Sequence, residues 1–158
     1  YLKNVAFCVT NGNAPNIKAK AKPDIYKVLA PMTALTIKET ALSKCLDEIK
    51  KLYISDMKVI NLDSQEEILF NVAKNILSYG YVNAIDFWIY LKENPKKFLK
   101  VQKTLDQNKE NYSFVFSKNS NHKIYFDEFF KTFKTSTKYR LILERYIGGF
   151  MTQNLAIK

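Results

Sequence analysis

Apolar residues recur at helical spacing in several separate stretches of this chain. Thr36 and Glu39 stand at capping-box spacing, followed on one face by Ile37, Ala41, Cys45, Ile49 and Leu52. Asp63 with Glu66 starts a second run, through Ile68, Leu69, Val72, Ile76 and Leu77, that stops at Gly80. Asn83 with Asp86 opens a third, through Trp88 and Leu91 to Lys92. Asn94 as cap and Pro95 at the first helical position open a fourth, 95–107, carrying Phe98, Val101 and Leu105. Tyr112–Ser117 and His122–Phe126 alternate apolar and polar around the turn Lys118-Asn119-Ser120-Asn121, as two strands of a hairpin would. Beyond them, Asp127 can cap a short helix with Phe129, Phe130 and Phe133, and Ser136 another that ends at Gly148-Gly149.

The first ten residues are short and apolar, the end of a helix or a strand. Asn11 to Pro15 is a breaker cluster, and Lys18 to Pro23 alternates lysine with small residues as a loop. Helices closed by a hairpin are the order of a winged helix. The expected fold is therefore mainly α with a small β-hairpin: a winged-helix domain over 58–158 preceded by an N-terminal helical extension over 1–57.

Charge changes the picture next. The 158 residues carry 25 Lys and Arg against 15 Asp and Glu, a net charge of +10. The surplus favours a polyanionic partner, although a coding bias toward Lys and Asn would also produce it. In the helix expected over 95–107, Lys96, Lys100 and Lys103 fall on one face, opposite Phe98, Val101 and Leu105. With Lys118 and Lys123 at the hairpin tip, these lysines are the candidate nucleic-acid contacts; a solvated face is the alternative. That helix holds no Arg for bidentate reading of guanine, and Gln102, Gln107 and Asn108 are left as readers of adenine. Contact with DNA is thus expected to be weak and non-specific.

Aromatic residues make up 14% of the chain. Beyond the hairpin, Phe129, Phe130, Phe133, Tyr139, Tyr146 and Phe150 interleave with Lys and Arg, as interface centres do, so they are the candidate interface. Packing back on the domain is the alternative. With one His and two distant Cys, a tetrahedral zinc site lacks ligands, and no cofactor is expected. No phosphate loop, nucleophile elbow or metalloprotease motif occurs, so the chain is read as a non-enzyme. Isolated thiols and the lack of an apolar run near the roughly 20 residues of a membrane span point to a soluble intracellular protein with no membrane partner. The chain begins with Tyr1, not Met, and so reads as a piece of something longer.

The capped helix from Thr36 to Leu52, the connector Ile60-Asn61-Leu62-Asp63 and the helix from Glu66 to Leu77 before Gly80 resemble one known junction. It is that between the last lid helix and the winged helix in the AAA+-derived family of the origin-recognition large subunit and the silent-information regulators. The resemblance implies a nuclear, non-catalytic module of a chromatin protein that forms homodimers and contacts chromatin proteins or DNA, with no small-molecule substrate. A DNA-binding regulator using 95–107 and the 112–126 wing, or a scaffold piece of an enzyme, stays open beside it.

Overall fold

A computed structural model describes residues 2–19, 21–102 and 107–155. The chain divides into two units, one of Val5–Asn108 and one of Tyr1–Asn4 with Lys109–Lys158. In chain order the elements are β1 (Leu2–Asn11), α1 (Lys22–Leu29), β2 (Thr33–Ile37), α2 (Ala41–Leu52), β3 (Lys58–Leu62) and α3 (Gln65–Lys74). They continue with β4 (Ser78–Asn83), α4 (Ala84–Glu93), β5 (Leu99–Val101), β6 (Gln107–Tyr112), α5 (His122–Phe133) and α6 (Thr137–Leu155). The strands form one mixed sheet in the order β3-β2-β4-β1-β5, with β6 pairing β1 off this path. β2 runs parallel to β3 and β4, whereas β1 runs antiparallel to β4 and β5.

This is an α/β architecture, and the winged-helix expectation is overturned. The central strands explain why. Ser78 to Val82 is buried at every position and Ala34 to Thr36 likewise, so neither shows the alternation of a half-exposed strand. A strand covered on both faces reads as a continuous apolar run. Ile76 and Leu77 happen to continue the helical period of α3, but the chain turns at Asn75 and both stay exposed.

Side chains alternate across the sheet into two cores. One face holds Cys8, Ala34, Tyr79 and Tyr81 under α1 and α2, which supply Ile25, Tyr26, Leu29, Leu46 and Ile49. The other holds Val9, Leu35 and Val82 under α3 and α4, which supply Ile68, Leu69, Val72, Phe87 and Tyr90. Gly80 lets α3 seat: a Cβ there would lie 2.3 Å from Ile68 Cγ2 and 3.3 Å from the Leu35 carbonyl. Gly80 is therefore a strand residue at a close approach, not the helix stop that its position after Leu77 suggests.

Residues 95–102 do not form the helix expected over 95–107. Asn94 closes α4, its amide donating to the Tyr90 carbonyl, and residues 99–101 form β5 instead. Val9 pairs with Val101 and Asn11 with Leu99. Gln102 is not a reader of adenine but a buried clamp. Its Oε1 accepts from the Ile17 amide, while its Nε2 donates to Thr10 Oγ1 and to the Pro15 carbonyl. This ties the loop after β1 down on the sheet. Asn11 does the same at the other face by donating to the Ala73 carbonyl at the end of α3.

In the second unit, the expected hairpin gives way to a helix. Residues 107–112 are a strand, but 113–117 are not, and His122–Phe133 is α5. Phe126, Phe129, Phe130 and Phe133 fall at helical spacing, and this outweighs the short alternation of His122–Phe126. Phe114 and Phe116 pack on Phe126, which stacks on Phe130; Phe130 and Phe133 meet Tyr139 edge-on. The helix expected to stop at Gly148-Gly149 breaks at Gly148 (φ 78°) and then resumes.

Two outcomes follow from the central strand. Gly80→Ala should cost about 1–3 kcal/mol in urea unfolding, through the forced shift of Ile68; an unchanged midpoint would contradict the close approach. Burial, then Cys8, pushes the Tyr81 phenol well above its usual range. Its hydroxyl has no hydrogen-bond partner among the described residues. The folded state keeps this proton while the unfolded chain releases it near pH 10, so stability should fall as pH rises past about 10. Tyr81→Phe should lessen that loss and be neutral or stabilising at pH 7; a loss of more than about 1 kcal/mol there would show that the hydroxyl has a partner.

Candidate functional site

Each of α2, α3 and α4 directly follows a parallel strand, so all three begin at the edge where those strands end. β2 leads through α2 to β3 on one side, whereas β4 leads through α4 toward β5 on the other. The connections thus part between adjacent strands, and in open α/β sheets a crevice opens at such a point beyond the carboxyl ends of the strands.

The turn from β2 to α2 is Lys38-Glu39-Thr40. Glu39 is left-handed (φ 64°), the one non-glycine residue of the described chain with positive φ. Its carboxylate lies 3.7 Å from Lys38, both groups standing in solvent, so the pair contributes little to stability. Thr40 caps α2: its Oγ1 accepts from the Ser43 amide and donates to the Ile37 carbonyl. The first-turn amides of Ala41 and Leu42 are left without an intrahelical acceptor. α2 carries no acid in its first turn, so its positive end is not offset by its own side chains.

The neighbouring helices differ. α3 is capped by Ser64, whose Oγ accepts from the Glu67 amide, and Glu67 reaches back to accept from the Asp63 amide. Glu66 and Glu67 lie in its first turn, and Asp86 lies in that of α4. Gln65 Oε1 accepts from the Asn83 amide at 2.6 Å, tying α3 to the end of β4. Between these helices runs an open groove of about 310 Å³ lined by Ser64, Gln65, Glu66, Asp86, Ile89, Tyr90 and Glu93. Tyr90 forms part of its floor; its hydroxyl is buried without a partner among the described residues. Burial first, and Glu66 second, raise that phenol.

None of the residues read from the sequence as nucleic-acid contacts or interface lines this edge. Lys96 lies in the turn after α4, and Lys100 lies in β5 with its Nζ donating to the Ala14 carbonyl. Lys103 lies outside the described residues. Lys118 lies in the loop before α5, and Lys123 on α5 pairs with Asp127. Among the described residues these lysines share no basic helix of the kind expected to enter a groove. Phe129, Phe130, Phe133, Tyr139 and Tyr146 lie on α5 and α6, where Tyr139 is buried and Phe129 and Tyr146 are exposed. Phe150 lies on α6. Sequence reasoning did mark Asp63, Glu66, Asn83 and Asp86 as helix starts; it lacked the parallel sheet that sets those starts along one edge.

No family model matches the chain, and no curated protein matches it. Its fold does match solved structures. It is similar to a cysteine-binding protein from Campylobacter jejuni (TM-score 0.69, 14% identity, covering 100% of this chain and 61% of that one). It is similar to the glutamate-bound ligand-binding core from Nostoc punctiforme (TM-score 0.68, 11% identity, 93% and 62%). The arginine-, lysine-, histidine-binding protein of Geobacillus stearothermophilus also matches (TM-score 0.66, 20% identity, 94% and 60%). The chain spans about three fifths of the length of these structures. The shared fold replaces the likeness to origin-recognition and silencing proteins. The chromatin, homodimer, DNA and nuclear readings, and the expectation of no small-molecule substrate, rested on that likeness and fall with it.

The cap at the head of α2 is directly testable. Thr40→Ala should lose about 1 kcal/mol of unfolding free energy, whereas Thr40→Ser should keep most of it. Equal losses for both would mean that the hydroxyl is not what holds this turn.

Proposed function

We propose that this chain supplies one lobe of a non-catalytic receptor for a free α-amino acid or a close zwitterionic relative. The observation that carries the reading is the asymmetry of charge along one strand edge. The head of α2 offers first-turn amides without an intrahelical acceptor and a dipole that no acid of its own first turn offsets, suited to a carboxylate. The heads of α3 and α4 offer Glu66 and Asp86, suited to an ammonium. A molecule carrying both groups would use both ends of the edge. Three solved structures of the same fold are described as binding cysteine, glutamate, or arginine, lysine and histidine, which supports this class of solute.

Calorimetric titration of the chain with the common amino acids should find at least one that binds saturably. Its decarboxylated and deaminated analogues should each bind at least about tenfold more weakly. Asp86→Asn should weaken the amino acid more than it weakens the deaminated analogue. Equal affinity for zwitterion, amine and acid, or no binding across the panel, would overturn the reading.

A further inference from the structure

The opposite edge of the same unit has a different character. There α1, α2, α3 and α4 end and β2, β3, β4 and β5 begin, so the turns between them share one end of the sheet. Large apolar side chains stand exposed in those turns: Leu52 at 67%, Leu77 at 58% and Phe98 at 65%, with Tyr53 and Ile76 beside them. The backbone fixes their placement. The Thr33 amide donates to the Leu77 carbonyl at 2.8 Å, and the Gly12 amide donates to the Phe98 carbonyl at 2.8 Å. Phe70, near the end of α3, is half-exposed under two lysines, with Lys74 Nζ 3.8 Å and Lys97 Nζ 5.3 Å from its ring centre.

Charge at this end is one-sided. Lys50 and Lys51 end α2, Lys58 begins β3, Lys74 ends α3, and Lys96 and Lys97 lie in the turn before β5; Asp56 and Glu93 are the acids among them. Cations at helix C-termini offset the dipole, which explains one lysine per helix end. That does not explain Lys58, Lys96 and Lys97, nor the exposed rings and leucines among them. Apolar side chains ringed by lysine stems are the arrangement that rests at a lipid headgroup layer, with chains dipping in and ammonium groups at the phosphates.

We infer that this end of the unit docks on an anionic lipid bilayer. The sequence expectation of no membrane partner rested on span length, which bears on crossing a bilayer and not on resting against one. Among the described residues no helix is long and apolar enough to cross. The docked orientation turns the head of α2 away from the lipid, so the solute edge stays open to water.

Sedimentation with vesicles tests this. Phosphatidylcholine vesicles with about one third phosphatidylglycerol should bind the chain at least about tenfold more tightly than phosphatidylcholine alone. Leu77→Ser with Phe98→Ser should weaken binding about tenfold, and Lys74→Gln or Lys97→Gln about fivefold each. Melting curves of each variant, expected to match that of the unaltered chain, separate loss of docking from loss of fold. Binding that ignores Leu77 and Phe98, or that falls as much with Lys118→Gln and Lys138→Gln in the other unit, would be generic attraction to a basic protein. Either result overturns the inference, as does equal binding to neutral vesicles.

Discussion

The parallel pairing of β2 with β4 is the constraint from which the rest of the Val5–Asn108 unit follows. Leu35 stands against Gly80 in that ladder, and the two strands are adjacent although α2, β3 and α3 intervene in sequence. Such a crossover needs a long connection across the sheet face, and here helices supply it. Helices then cover both faces, and the central strands β2 and β4 are buried on both sides. Gly80 is a point of tight tolerance, since Ile68 of the covering helix occupies the space a side chain would take.

The same pairing gives the unit two unlike ends. Parallel strands with helical returns place helix heads at one end and helix tails at the other. At the heads, free amides and local acids create paired positive and negative character; at the tails, lysines and exposed apolar chains gather. The proposed solute site and the proposed docking surface therefore draw on different residues of one small unit. Gln102 and Asn11 keep the long loop after β1 against the sheet, and so hold the tail end in one arrangement.

Much of the helical content was legible and the sheet was not. Thr36 and Glu39 have the spacing of a capping box, yet the working cap is Thr40, because Thr36 is buried in β2. Asn83 was readable as the start of α4, and Asp63 marked the start of α3 to within one residue. What hid the architecture was the doubly buried strand: Tyr79 to Val82 lacks period-two alternation and sits directly after an amphipathic helix. Asn94-Pro95 misled for a related reason. The pair suits a helix start, but it also suits a turn between a helix and an edge strand, and Leu99 and Val101 alternate over too few residues to decide. The solute edge was illegible as a site because its residues are ordinary caps, and only the strand order makes them neighbours.

In the proposed receptor a zwitterion meets the head of α2. Amide chemical shifts recorded while an amino acid that binds is titrated in would report on it residue by residue. The amides of Ala41 and Leu42 should move most, and downfield as they donate to a carboxylate, with Asn83 and Asp86 following. Shifts confined to residues 109–155, or an α2 head that stays still while ligand saturates, would contradict the account.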